Sequence, residues 1–178
     1  AYVPQADGRE TPFTVQEFVE MARYPHLGPL APVRPEDERA VFRALEDTGT
    51  AALAERPMDA LSGGERQKAY LAAALAQEAE ILLLDEPTAF LDPPRQVEIL
   101  RTVERIHQER GTTILFVTHD VNEALAHATR VIALRDGAVV FDGPIERLTA
   151  DGTLHAVYAH DFVVGAHPRT GRPVVLPE

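Results

Sequence analysis

The sequence predicts an α/β protein in which a mainly helical segment precedes a parallel sheet. Two apolar runs, residues 81–84 (ILLL) and 113–117 (TILFV), have the length and aliphatic content of strands. Between them, residues 97–106 place Val97, Leu100, Val103 and Ile106 at helical spacing. Strand and helix signals therefore alternate from residue 81 onward, which is typical of a parallel sheet whose strands are buried on both faces.

The part of the chain before residue 80 carries mostly helix signals. Residues 1–5 (AYVPQ) indicate the end of a strand that enters a loop. Thr14 and Glu17 form the pattern of a capping box for a first helix. A second helix opens at Pro35 and ends before Gly49, and the alanine-rich residues 68–77 predict a third.

Further signals follow the second apolar run. Asp120 and Glu123 repeat the capping-box pattern at the start of another helix. Residues 130–143 predict a β-hairpin that turns at Asp136-Gly137. The apolar positions at 97–106 predict core packing for one face of their helix.

Composition excludes several classes of protein. The 178 residues suit about one domain, and 17 basic against 28 acidic side chains give a formal net charge of -11. This acidity argues against a general grip on nucleic acid, which usually shows as a basic stripe. The chain has no cysteine, so disulfides and cysteine-bound metals are excluded. No apolar run approaches the roughly 20 residues that span a bilayer.

Two adjacent carboxylates, Asp85 and Glu86, follow the first apolar run directly. Ligands of open α/β sheets bind outside the carboxyl ends of the strands. Two acids there would repel each other unless a positive group, such as a metal ion, lies in front of them. The alternative is a strand that simply ends in a solvated turn.

The stretch LSGGERQ (61–67) is the second candidate site. Ser62 can cap the following helix, and Gly63-Gly64 let an anion approach the amides of its first turn. Helix N-termini bind phosphate through such amides and the positive end of the helix dipole. The alternative is an ordinary loop before a helix.

The motifs in this order and spacing resemble those of the ATP-binding subunits of ABC transporters. LSGGERQ resembles the signature motif, ILLLDEPT (81–88) Walker B, FLD (90–92) the D-loop and VTHD (117–120) the switch histidine. YVPQ, which ends at Gln5, is similar to the Q-loop. Residues 13–28 and 167–177 are similar to those of importers of iron-siderophore, haem or cobalamin.

The resemblance implies the C-terminal part of a P-loop NTPase domain, with a parallel sheet and a helical subdomain. It divides the chain into a Q-loop region (1–11), a helical subdomain that ends in the signature helix (12–75), half of the catalytic core (76–150) and a tail (151–178).

The resemblance also implies roles for the acidic motif. Asp85 would bind Mg²⁺, and Glu86 would be the general base that deprotonates the attacking water. Gln5 would contact the metal or the water, and His119 would form a hydrogen bond to the γ-phosphate. Phosphoryl transfer needs positioning and charge neutralisation more than covalent chemistry, which agrees with this division.

Other matched residues would act across a dimer. Ser62, Gly63 and Gly64, with Glu65 in the same motif, would bind the nucleotide held by the opposite subunit. Asp92 would communicate across the interface. Phe90-Leu91 precede it where the family usually has small residues, so this loop departs from the pattern.

The implied cofactors are ATP and Mg²⁺. The implied assembly is a homodimer on the cytoplasmic face of the membrane, with two permease subunits and, indirectly, a substrate-binding protein, but no nucleic acid. The sequence contains no G-x-x-x-x-G-K-[ST] phosphate loop, and Lys68 is its one lysine. We therefore expect a truncated domain with little ATPase activity of its own. The alternatives are a non-transport ABC protein and a non-catalytic interaction fragment.

The remaining polar candidates are interpreted as structural. Arg9 and Arg23 lie where the helical subdomain would face the permease, and lone arginines are usually solvated. Six histidines lack metal-ligand spacing with one another and are expected at the surface or in packing: His26, His107, His127, His155, His160 and His167.

Overall fold

The fold is known from a computed structural model that describes residues 1–5, 11–28, 31–150 and 152–177. These residues form two compact units, Ala1–Val117 and Thr118–Glu178. Each unit has its own buried apolar cluster and is described by itself.

The first unit is built on a parallel sheet of three strands, in agreement with the predicted fold class. The strands are β1 (Tyr2–Val3), β2 (Ile81–Asp85) and β3 (Thr113–Val117), with β2 in the middle. Tyr2 pairs with Leu83, and Leu83 pairs with Leu115. Because all three strands run the same way, the residues that follow them meet at one edge of the sheet.

Residues 113–117 form the predicted strand, but the prediction that this strand is buried is wrong. Exposed and half-buried positions alternate along β3, and Leu115 and Val117 are exposed. In the described sheet β3 pairs only with β2, so it is an edge strand. In β2, by contrast, Leu82 and Leu84 are fully buried.

Four helices surround this sheet, and most begin and end where the sequence indicates. They are α1 (Val15–Met21), α2 (Pro35–Thr48), α3 (Gly63–Ala76) and α4 (Pro93–Arg110). The predicted capping box of Thr14 with Glu17 is formed at α1. Gly49 ends α2 in the left-handed region, at φ 67°, where glycine has no steric penalty. The alanine-rich face of α3 packs in the main core.

The apolar stripe of α4 is core packing at three of its four predicted positions. Leu100, Val103 and Ile106 are buried, together with Ile99, but Val97 is exposed. A helix turns about 100° per residue, which places Val97 about 160° from Ile99 around the axis. Val97 therefore lies on the solvent side.

The interpretation of Arg23 as a solvated side chain is wrong. It is only 5% exposed and forms an ion pair with Asp37, at 2.9 Å from Nη2 to Oδ1. The matching residue Arg9 lies outside the described residues. A buried arginine needs such partners, because an isolated buried charge is very costly.

The described residues of the second unit form two α-helices, a short 3₁₀ helix (Ile145–Arg147) and two hairpins. Its elements are α5 (Val121–His127), β4 (Arg130–Arg135), β5 (Ala138–Pro144), α6 (Thr153–Tyr158), β6 (Phe162–Ala166) and β7 (Pro173–Pro177). Asp136 and Gly137 both have positive φ, as a tight two-residue turn requires, which confirms the predicted hairpin. The hairpin of β6 and β7 was not predicted.

The predicted capping box at α5 is wrong. Asp120 does cap the helix, since its side chain accepts a hydrogen bond from the Asn122 amide. The Glu123 carboxylate instead accepts one from the Thr118 hydroxyl, at 2.7 Å. None of the helices described is both long and apolar enough to cross a membrane.

Candidate functional site

The carboxyl ends of β1 and β2 bring the first predicted site together. Gln5 Nε2 donates a hydrogen bond to Glu86 Oε2 at 2.9 Å. The Tyr2 hydroxyl donates one to Asp85 Oδ2, also at 2.9 Å. Parallel pairing of the strands places these residues side by side although 81 positions separate Gln5 from Glu86.

The backbone holds Glu86 in an unusual conformation. Its φ is 43°, in the left-handed region that non-glycine residues seldom adopt. Its amide donates to the Val117 carbonyl of β3, and its carbonyl accepts from the Ala89 amide, both at 3.0 Å. Strained residues of this kind cluster at functional sites, where surrounding contacts hold them in place. The turn therefore fixes the backbone position from which the Glu86 side chain extends.

Tyr2 is part of this site although its motif gave no sign of it. The hydrogen bond to the Asp85 carboxylate raises the pKa of the Tyr2 hydroxyl above 10.0, with smaller contributions from burial and from the charge of Asp85. Tyr2 therefore remains protonated at neutral pH and donates to Asp85. The register of two parallel strands would have been needed to find it, and the sequence does not specify that register.

The second predicted site lies at the start of α3. Ser62 caps the helix in a complete capping box with Glu65. The Ser62 amide and hydroxyl donate to Glu65 Oε2 at 2.8 and 2.7 Å. These two bonds, first the hydroxyl and then the amide, lower the pKa of Glu65. The Glu65 carboxylate is thus engaged with the loop itself.

A cavity of about 250 Å³ opens beside this helix start. Ser62, Gly64, Lys68 and Arg95 are among its lining residues. A Cβ atom added to Gly64 would lie 2.9 Å from Arg95 Cδ, so any larger residue would force Arg95 to move. Glycine at position 64 therefore keeps the backbone close to a cationic side chain. Neither Arg95 nor Lys68 was predicted as a site residue.

Asp92 begins α4 and has a structural role within the chain. Its Oδ1 accepts a hydrogen bond from the Arg95 amide at 3.1 Å, and its Oδ2 lies 3.4 Å from Arg95 Nε. Phe90, two residues earlier, has φ 62° and is 87% exposed. Arg95 therefore contacts both Asp92 and Gly64, which connects the two motifs inside one chain.

Known proteins share both the sequence pattern and the fold of this chain. Residues 16–126 match the family model described as "AAA domain, putative AbiEii toxin, Type IV TA system". The chain belongs to the AAA-domain family. Its relatives and structural neighbours are ABC-type ATP-binding proteins, which confirms the resemblance and the fold class.

Two relatives illustrate this similarity. The iron(3+)-hydroxamate import ATP-binding protein FhuC of Bacillus subtilis (strain 168) is 43% identical over 176 residues, which are 99% of this chain and 65% of FhuC. The hemin import ATP-binding protein HmuV of Streptomyces coelicolor is 44% identical over 177 residues, which are 99% of this chain and 62% of HmuV. The chain thus spans less than two thirds of the length of either relative.

Two solved structures share the fold. "An inward-facing conformation of a putative metal-chelate type ABC transporter" matches with a TM-score of 0.90 and 27% identity, over 99% of this chain and 72% of that one. A dimeric post-hydrolysis state of an ATP-binding cassette, bound to ADP and Pi, matches with a TM-score of 0.66 and 28% identity. That match covers 81% of this chain and 62% of the cassette.

The other candidate of the ABC-type motif set, His119, belongs to the second unit. It follows β3 and precedes the capping residue of α5. Other histidines form hydrogen bonds or close polar contacts, as structural residues do: His26 with Gln77, His107 with Thr112, His155 with Asp161, and His167 with the amides of Arg169 and Thr170. Within the described ranges no three acidic or histidine side chains are grouped as a metal cage.

Proposed function

We propose that this chain is the ATP-binding and ATP-hydrolysing part of an ABC importer subunit for iron-siderophore, haem or cobalamin. The observation that carries the proposal is the contact of Gln5 with Glu86 at the carboxyl end of β2, beside Asp85. The names of FhuC and HmuV support ferric siderophore and haem as substrate classes. Cobalamin rests on the sequence resemblance alone.

The residues present fit Mg²⁺ as a partner of bound nucleotide. Magnesium prefers oxygen ligands and is commonly held by one or two carboxylates together with phosphate oxygens and water. Asp85 supplies such a carboxylate, already oriented by the Tyr2 hydroxyl, and Gln5, which follows β1, contacts the neighbouring Glu86. When bound, Mg²⁺ would neutralise charge on the phosphates.

Glu86 is the proposed general base. The hydrogen bond from Gln5 and the fixed backbone turn orient its carboxylate, and the carboxylate would take a proton from the attacking water. His119 would form a hydrogen bond to the γ-phosphate. Gln5 would sense the state of this site, because its side chain contacts the base.

A second copy of the subunit is the proposed partner at the signature loop. The amides of Gly63 and Gly64 lie in the first turn of α3, where no carbonyl of the helix can pair with them. With Ser62 they would bind the γ-phosphate of the partner's nucleotide. Glu65 would contribute to the same site by holding Ser62 in place, and Asp92 would face the dimer interface.

The proposed assembly also includes permease subunits, with a substrate-binding protein acting through them, and no nucleic acid. It would place the chain on the cytoplasmic face of the membrane as a peripheral subunit. Residues 6–30 would contact the permease. Among the described residues of this segment, Met21 and Tyr24 are exposed apolar side chains, which suits a docking surface.

The test uses a chimera that carries a P-loop segment of an ABC ATPase ahead of Ala1. In this chimera, Glu86→Gln should reduce ATP turnover by about 10²–10⁴-fold, because it removes the proton acceptor and keeps the shape. ATP binding should be retained. The control is Glu55→Gln, an exposed glutamate on the same unit. Phosphate release by Glu86→Gln close to that of the control would remove Glu86 from the role of base.

A non-catalytic interaction fragment is the second candidate, because the sequence has no P-loop motif to surround the β-phosphate. Each missing charge-assisted contact is worth roughly 1.5–3 kcal/mol. We therefore expect calorimetry on the unmodified chain to detect no MgATP binding at millimolar ligand, whereas the chimera should bind it. Tight binding by the unmodified chain would show that other residues complete the phosphate site.

A further inference from the structure

Arg23 joins three helices of the first unit. It lies directly after α1 and is almost fully buried. Its Nε donates to Asp37 Oδ1 at 2.9 Å, and its Nη1 donates to the Ala76 carbonyl at 2.6 Å and to Glu78 Oε2 at 2.9 Å. One guanidinium therefore bonds to the first turn of α2 and to the last residue of α3. Arginine suits this task because its donors form a rigid fork.

Asp37 is the buried anion that balances Arg23. It is 2% exposed and also accepts a hydrogen bond from the Arg34 amide at 3.2 Å. Burial disfavours its charged form, but the bonds from Arg23 and from the Arg34 amide, with the charges of both arginines, outweigh burial and lower the pKa of Asp37. The ion pair is therefore formed at neutral pH.

His26 reaches the same end of α3. Its Nε2 lies 2.8 Å from the carbonyl oxygen of Gln77, the residue that follows the helix. The last carbonyls of a helix have no donor within the helix. Arg23 and His26 thus satisfy two of these carbonyls from one short segment. That segment is a single 3₁₀ turn, Tyr24–His26, in which the His26 amide bonds to the Arg23 carbonyl at 2.8 Å.

The two ends of α3 differ in what they contact. At 14 residues the helix is about 20 Å long, and its alanine-rich face is packed in the core. Its N-terminus carries Ser62–Gly64, and its C-terminus is held by Arg23 and His26. The segment that holds it exposes Tyr24 at 79% and Met21 at 43%.

We propose that Arg23 is a positioning residue that, with His26, fixes the exposed segment 21–26 to α3 and so to the signature loop at the other end of the helix. A partner that displaces the segment then displaces Ser62–Gly64 with it, because a packed helix moves as a rigid element. This inference rests on the proposed function, which makes the permease the partner. Arg23 and His26 would be the side chains that transmit movement of the permease to the signature loop.

Pulsed EPR distance measurement tests this linkage on the chain without an added P-loop segment. The sequence has no cysteine, so engineered cysteines can be spin-labelled selectively. One labelled pair, Tyr24→Cys with Ala60→Cys, spans the joint between the segment and the start of α3. A second pair, Arg101→Cys with Ala60→Cys, reports on α4 relative to the same point and includes neither the segment nor a helix that Arg23 bonds.

Arg23→Lys keeps the charge but loses the fork of donors, so the distance distribution of the 24–60 pair should become about twofold wider. The 101–60 pair should keep its width. A residue that only stabilises the fold would widen both pairs together or neither, and either result would overturn the proposal. No nucleotide is used, so the result does not depend on whether the chain supports ATP hydrolysis.

His26 provides an independent variant should Arg23→Lys fail to fold. His26→Ala removes one bond to α3, whereas His26→Gln keeps an amide that can donate to the Gln77 carbonyl. The 24–60 distribution should widen in His26→Ala and return towards its original width in His26→Gln. Equal widths in the two variants would contradict a role for the His26 contact.

Discussion

Helices α3 and α4 both begin with a side chain that caps the first turn, but the two N-termini differ in what they leave for a ligand. Ser62 caps α3, and two glycines follow it. Asp92 caps α4, and Pro93 and Pro94 follow it. The first turn of α3 therefore has two extra amide donors, whereas the prolines of α4 have none.

The remaining donors of α4 are used inside the chain. The Arg95 amide bonds to the Asp92 side chain, and the Gln96 amide bonds to the Asp92 carbonyl at 3.0 Å. A carboxylate lies at each helix start, Asp92 at α4 and Glu65 at α3, so charge does not distinguish them. A cap and a helix dipole do not suffice for a phosphate site. Amides that a ligand can approach are also needed, and of these two helix starts only α3 has the glycines that provide them.

The largest effect that tests this comparison is expected at Gly64. In the P-loop chimera, Gly64→Asp places a carboxylate where the partner's γ-phosphate would lie, and like charges at an interface cost several kcal/mol. A cost of about 3 kcal/mol weakens ATP-dependent dimerisation about 100-fold. Sedimentation with and without ATP measures it.

The matched control is Gly64→Asn, which has nearly the same size and crowds Arg95 Cδ in the same way without the charge. We expect its dimerisation to fall less than that of Gly64→Asp, and ATP binding by the monomer to be similar in both. Equal loss in the two variants would show that crowding of Arg95, not charge, decides the result.

Features fixed by neighbouring residues could be predicted from the sequence. The capping box at Thr14, the Ser62 cap, the helix end at Gly49 and the Asp136-Gly137 hairpin all depend on contacts within a few residues. The same holds for the acidic pair at the end of β2, since a strand end is marked by its own sequence. The family motifs also indicated that these local features belong to one ATP-binding domain.

Features that depend on distant partners could not be predicted. Burial of Arg23 requires Asp37 and the end of α3, which are 14 and 53 positions away. The Tyr2 contact with Asp85 requires the register of a parallel pair. At α5 the Glu123 carboxylate bonds to Thr118, which comes before the cap, although the cap pattern is present. In each case a partner that the local sequence pattern does not include determined the outcome.

Alanine substitution of the two caps should give a smaller effect that separates stability from binding. Ser62→Ala and Asp92→Ala each remove a cap worth about 1 kcal/mol. Both should lower the unfolding free energy of the unmodified chain by similar amounts in urea titrations. In the chimera, Ser62→Ala should weaken ATP-driven dimerisation beyond its cost in stability by more than Asp92→Ala does, because Ser62 would bind the partner's γ-phosphate whereas Asp92 would only face the interface. A comparable loss with Asp92→Ala would mean that α4 contributes to the phosphate site as well.

The smallest effect concerns the pH dependence of the α3 capping box. Hydrogen bonds from Ser62 lower the pKa of Glu65 from its usual value of 4.5, so the ionised form is favoured in the folded chain. The resulting stability is present above pH 4.5 and is lost as the pH falls through the lower folded pKa. Glu65→Gln keeps one acceptor but does not titrate. The difference in unfolding free energy between the original chain and Glu65→Gln should therefore shrink as the pH is lowered.

Glu17 offers a matched second case, because the same kind of box at α1 lowers its pKa through bonds from the Thr14 amide and hydroxyl. Glu17 is exposed and Glu65 is half-buried, so solvent should screen the Glu17 effect more. Urea titrations from about pH 6 to about pH 3 compare Glu17→Gln and Glu65→Gln with Glu55→Gln. A difference for Glu65→Gln that stays constant with pH would mean that the carboxylate charge does not stabilise the loop around Gly63 and Gly64.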